Sequence, residues 1–309
     1  MNWKEHTLPA PLSSKTLHGK AVGTNDTVTG LDDQDNTLYG DAFGMTGQTR
    51  GGNDVMVGGA GPGIFNRLYG DAHTMTKSAA GGNDTVIGGA GLMDLPVTNL
   101  AIGDANAMSD LARGGDDRLV GGEGNAIDGL YGDAITLAGS AQGGGDVLIA
   151  TAGGMTTFAG PAADTLAGDA EAMTDSTQGG DDTLFGADGA PSVLYGDAQA
   201  MSGAARGGGD LLVSGTGDDS MWGDAPTVLG LAQRGADTFR FAPDNGDDAI
   251  HDFEVGVDKI DLTAFASIHT IEDLTIAADL IVFADGGTIA ITILGGDALS
   301  SGDFIFTPA

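Results

Sequence analysis

The chain has 309 residues, 55 of them glycine, and sets 44 acidic residues against 12 basic ones, for a formal net charge of −32. It has no cysteine, which excludes disulfides, thiolate metal sites and a cysteine nucleophile, and so acidic a surface is a poor partner for nucleic acid. No stretch of 18 apolar residues predicts a membrane span, and Met1 to Lys20 lacks the apolar centre of a secretory leader.

In chain order, residues 1–20, with Pro9 and Pro11, read as a lead-in strand or capping segment. Repeats then fill residues 21–237, opening on a partial copy, Gly23-Thr24-Asn25-Asp26. Seven Gly-Asp-Ala triplets carry Asp41, Asp71, Asp104, Asp133, Asp169, Asp197 and Asp224. Always 13 residues later an aspartate closes a glycine-rich turn: Asp54, Asp84, Asp117, Asp146, Asp182, Asp210 and Asp237. The distance onward to the next triplet varies: 17, 20, 16, 23, 15 and 14 residues. One arm of the repeat is therefore fixed in length and the other accepts insertions. A period of this size predicts a solenoid whose units bury their apolar faces against one another.

One unit shows the parts. Gly81-Gly82-Asn83-Asp84 makes a turn, Thr85-Val86-Ile87 a short strand, and Gly88-Gly89-Ala90-Gly91 a second turn. A variable stretch follows, ending in a strand-like run such as Leu38-Tyr39, Leu68-Tyr69, Leu130-Tyr131, Leu194-Tyr195 or Met221-Trp222. Short apolar runs punctuated by glycine predict strands rather than helices. Four residues after each triplet aspartate stands Met45, Met75, Met108, Leu137, Met173, Met201 or Val228. Leu137 and Val228 break any soft-metal row, so this file reads as stacked core. The Thr or Ser that follows it is interrupted at Ala138 and Leu229, which argues against an ice-binding face. Residues 238–309 hold seven of the eleven phenylalanines. A hairpin is expected there, Ile281 to Ala284 and Thr288 to Ile293 joined by Asp285-Gly286-Gly287, with one helical turn in Ser267 to Leu274. This is a β-rich cap for the open end of the stack.

Of the 44 acids 39 are Asp, a bias that a merely solvated surface does not need. Asp holds a carboxylate close to a glycine-rich turn, where carbonyl oxygens face inward, and Ca²⁺ takes six to eight such oxygens. Like charges stacked about 5 Å apart repel by several kcal/mol at an effective dielectric of about 20, and cations relieve this. The candidate metal ligands are Asp26 and the seven turn aspartates, with the carbonyls of Gly52, Gly82, Gly115, Gly145, Gly180 and Gly209 beside them, and the seven triplet aspartates as a second set. Turn capping without metal is the competing reading for the triplet set.

Gly52-Asn53-Asp54-Val55-Met56 and Gly82-Asn83-Asp84-Thr85-Val86 resemble half of the nonapeptide of RTX, or hemolysin-type, calcium-binding repeats, and Gly215-Thr216-Gly217-Asp218-Asp219-Ser220-Met221 matches it more fully. The resemblance implies an all-β, right-handed parallel β-roll or β-solenoid with several bound Ca²⁺ ions, and it adds Asp219 to the ligands. Asp237-Thr238-Phe239-Arg240-Phe241, Gly246 to Phe253 and Asp258 to Leu262 resemble the C-terminal segment of serralysin-type secreted proteins. The ending Gly302-Asp303-Phe304-Ile305-Phe306 is similar to their type I secretion signal. Calcium, the type I secretion machinery and a surface or matrix polysaccharide are the partners expected of such a protein outside the cell. There are departures. Gly63 and Ala126 stand where a further aspartate is expected, and about nine extra residues separate each Gly-Asp-Ala from the next turn. Two shapes stay open, a coil of about 18 residues with two sides or one of about 27 with three, and with them the question of one row of ions or two.

His6, His18, His73, His251 and His269 form no His-Glu-x-x-His, so the serralysin protease motif is absent from this sequence. The expectation is a non-catalytic protein that folds on calcium and has a structural or adhesive role. The alternative is a secreted hydrolase or lytic factor with a site in the insertions Gly91 to Asn99 or Ala150 to Asp164.

Overall fold

A computed structural model describes residues 16–92, 95–151, 163–277, 279–283 and 287–308. His6, Pro9 and Pro11 of the lead-in, positions 284–286 of the expected hairpin, and parts of both long insertions lie outside the described residues. Among the described residues the chain forms three sheets of 8, 10 and 11 strands and two single 3₁₀ turns, with no α-helix. It is a parallel β-solenoid of about eight turns, and the shape left open by the sequence resolves to three sheets.

One turn illustrates the winding. Ala72–Lys77 lies in the first sheet, Thr85–Ile87 in the second and Val97–Ile102 in the third. Each residue stacks on its repeat equivalents in parallel register: Met75 between Met45 and Met108, Val86 between Met56 and Leu119, Ala101 between Leu68 and Leu130. The methionine file is buried throughout from Met45 to Met201. Insertions fall between the second-sheet and third-sheet strands of a turn, after Ile87 and after Ile149, and the strands on either side keep their parallel register.

The buried apolar residues divide into two main clusters that share no member. Apolar residues from the second and third sheets, such as Met56, Leu68, Val86, Leu119 and Leu130, form the larger core. The constant 13-residue arm has its own thin core of Ala72, Met75, Ala79 and their equivalents. Fully burying such a Leu or Met contributes about 1.5–3 kcal/mol, and small Ala residues let the arm close on itself. The arm leaves at Gly70-Asp71 and returns at Gly81 to Asp84, and these ends meet as a neck. A Cβ on Gly70 would collide with the Asp84 carboxylate and the Gly103 carbonyl, and one on Gly81 with the carboxylates of Asp71 and Asp104. The arm has constant length because it must return to this neck.

The first sheet ends at Thr227–Val228, while the other two continue through Asp247–Glu254, Lys259–Asp261 and Phe304–Ile305. Thr275–Ala277, Leu280–Val282 and Thr288–Leu294 add an antiparallel meander, and Phe239, Phe241 and Phe253 fill the core at this end. The expected helical turn is the 3₁₀ turn Ile271–Asp273.

Candidate metal centre

Both aspartate sets face into the neck, and none of the fourteen residues is more than 3 % exposed. Each triplet carboxylate crosses it to accept from a glycine amide 11 residues on: Asp71 from Gly82 at 3.0 Å, Asp133 from Gly144 at 2.8 Å, Asp197 from Gly208 at 2.7 Å and Asp224 from Gly235 at 2.5 Å. Gly52, Gly115 and Gly180 serve Asp41, Asp104 and Asp169 in the same way. Gly145 and Gly209 stand one residue later, in the register of Asn53, where they donate to Asp116 and Asp181 on the outside. The turn aspartates form the second file. Each backbone N–H donates to the carboxylate one turn on, from Asp26 to Asp54 at 2.6 Å, through Asp84 to Asp117 at 2.6 Å and Asp182 to Asp210 at 2.8 Å, ending with Asp237 to Asp258 at 3.0 Å.

In the six turn aspartates from Asp84 to Asp237 one oxygen is thereby satisfied and the other is not. Oδ2 of Asp84, Asp117, Asp146, Asp182, Asp210 and Asp237 is buried with no hydrogen-bond donor, as are Oδ1 of Asp71 and Oδ2 of Asp133, Asp169 and Asp197 in the triplet file. Burial and neighbouring carboxylates push these groups up: Asp84 to about 9, mainly through burial and then the charge of Asp71, Asp133 to about 7, Asp197 to about 6 and Asp224 to about 8. Asp117, Asp146 and Asp210 are raised well above the usual carboxylate value by the same two causes. Such a column holds together with protons on many of its carboxyls or with cations between them. The donor set is oxygen only, which suits a hard divalent ion. Among the described residues no three acidic or histidine side chains converge on one point. The donors therefore come as neighbouring carboxylate pairs with glycine carbonyls beside them, such as Gly103 O and Gly132 O against the neck.

A third polar file, at the corner between the second and third sheets, shows what a metal-independent ladder looks like. Asn36, Asn66 and Asn99 pass amide hydrogen bonds from turn to turn at 2.8 Å, and Asn99 donates to Asp128 at 2.7 Å. Asn66 and Asn99 also bond both ways with the backbone of Gly59 and Gly89. Asp128 accepts from Asn99 and Gly122, and Asp219 from Ser192 and Gly215, so both oxygens of each have N–H donors. Asp219 thus belongs to this corner and not to the neck. The file has its own signature in the sequence: Asn, Asp or Ser stands five residues before every triplet aspartate.

Fold and site together define a repeat protein of the parallel β-solenoid class with an acid-lined neck. A family model for the peptidase M10 serralysin C terminal matches residues 49–291, and the chain belongs to that family. The matched part is the repeat-bearing C-terminal region of serralysins, distinct from their protease domain. No curated protein and no solved structure matches this chain.

Proposed function

We propose that this is a secreted calcium-binding repeat protein whose neck takes up several Ca²⁺ ions. The observation that carries the reading is the contrast between the two polar regions. Carboxylates at the third corner have an N–H for each oxygen, whereas the neck repeats buried oxygens with no donor turn after turn. The turn aspartates and the triplet aspartates would hold the ions jointly, with backbone carbonyls completing the shell. Each ion supplies positive charge that lets paired carboxylates stay ionised while buried. Extracellular modules bind calcium with Kd of about 10⁻⁴–10⁻³ M, so the ions load outside the cell and binding adds to folding. Membership in a family built from the repeat region supports a non-catalytic part, structural or adhesive at a surface or in a matrix, exported by type I secretion.

The test is far-UV circular dichroism with isothermal titration of EGTA-treated protein at neutral pH. The expected result is a gain of β signal with several calcium ions bound and no matching response to magnesium. A spectrum already β-rich, with no heat of calcium binding, would withdraw the metal and leave the aspartates as protonated ladder residues.

A further inference from the structure

The neck ends differently from the way it repeats. In seven turns the residue facing the triplet file is the first glycine of the turn: Gly23, Gly51, Gly81, Gly114, Gly143, Gly179 and Gly207. At each, a Cβ would strike an aspartate carboxylate, so no side chain fits there. In the last turn the stacking of Arg206 on Gln233 puts Arg234 in the register of Gly207. Its guanidinium lies 3.8 Å from Asp224, 3.8 Å from Asp252 and 3.3 Å from Glu254, with the side chain only 21 % exposed.

The neighbouring groups are rebuilt to match. Asp252 accepts from the Gly223 and Asp224 amides at 2.8 and 3.3 Å, taking over from the next-turn carbonyls that serve Gly196 and Asp197. Asp258 closes the other file, and its second oxygen, unlike those of the six aspartates from Asp84 to Asp237, accepts from Glu254 N at 2.7 Å. Sheet one stops at this level, so no further triplet carboxylate follows.

We propose that Arg234 is a tethered cation that occupies the terminal cation position of the neck, so that the column of metal sites stops before the Asp224–Asp252 level and the C-terminal turn is neutralised without metal. The assignment rests on the calcium reading of the neck. Restoring the repeat residue should open the position to an ion: R234G is expected to bind one more Ca²⁺ per chain than the unaltered protein, and R234K the same number, by equilibrium dialysis. Equal, non-zero counts for R234G and the unaltered protein would overturn the assignment and leave the calcium reading standing. No calcium on either would remove the calcium reading, and the assignment with it. A second measurement covers an R234G that does not fold. R234Q fills the position with much the same side chain but no charge, and in saturating calcium, where the rest of the neck is loaded, it should lose hydrogen-exchange protection at the Gly223 and Asp224 amides, which the unaltered protein keeps. Unchanged protection in R234Q would equally sink the proposal.

Discussion

At the scale of single residues the neck is governed by atoms that glycine lacks. A Cβ on Gly103 would meet the Asp117 carboxylate and the Gly132 carbonyl, one of them backbone that cannot step aside. Gly129, in the third sheet, has nothing nearer than 3.5 Å to the same imagined atom. Gly103→Ala is therefore expected to cost about 3 kcal/mol, as overpacking does at its upper end, while Gly129→Ala should change stability by less than about 1 kcal/mol. Urea unfolding in saturating calcium reads both, and equal midpoints would refute the packed neck. These distinctions were only partly legible in the sequence. The triplet and turn aspartates announce themselves by constant spacing. Where three glycines run together, at 143–145 and 207–209, spacing cannot tell which one faces the carboxylate. Arg234 was hidden for a related reason, since its position is ordinary until register places it where every other turn has glycine.

At the scale of elements, strands of three or four residues are held more by their corners than by their own length. Asn99 shows how much one corner residue carries: it bonds Asn66, both backbone groups of Gly89, and Asp128. Asn99→Ala leaves these partners buried without mates, at about 1–3 kcal/mol for each buried group left unsatisfied. We expect a total loss of about 3–5 kcal/mol, and a midpoint unchanged in urea would show the ladder to be water-accessible. Strand existence and stacking were readable from apolar runs and glycine punctuation. The three-sheet shape was not, because the nine extra residues per unit are compatible with a wider coil or an added side. Only the neck contacts make the constant arm a lobe with its own core. The polar file at the third corner has a fixed spacing that sequence reading passed over, because Asn, Asp and Ser exchange there and no single letter repeats.

At the scale of the whole molecule, the column makes stability depend on pH in opposite ways with and without metal. Burial raises the folded-state pKa of these carboxyls above the usual value of 3.8, to about 6 for Asp197, 7 for Asp133, 8 for Asp224 and 9 for Asp84. The metal-free fold therefore binds more protons than the unfolded chain across this range. Its stability is fullest below about pH 4 and is lost as pH rises through about 6 to 9. Calcium competes with those protons, so the loaded protein should hold or gain stability over the same interval. Urea midpoints at pH 4.5 and 8, in EGTA and in millimolar calcium, would show the crossing, and a flat EGTA series would mean the carboxyls are not buried together.

The turn-aspartate file also has a direction. Every N–H in it points to the carboxylate of the turn that follows in sequence, never to the one before. The turns overlap like roof tiles, each fastened by its successor. Lifting a tile at the amino end removes a donor from a carboxylate, a group that water serves readily. Lifting one at the carboxyl end leaves a peptide N–H bare over an acidic shaft. A shortened chain should therefore wear unevenly, tolerating loss from its head better than loss from its tail.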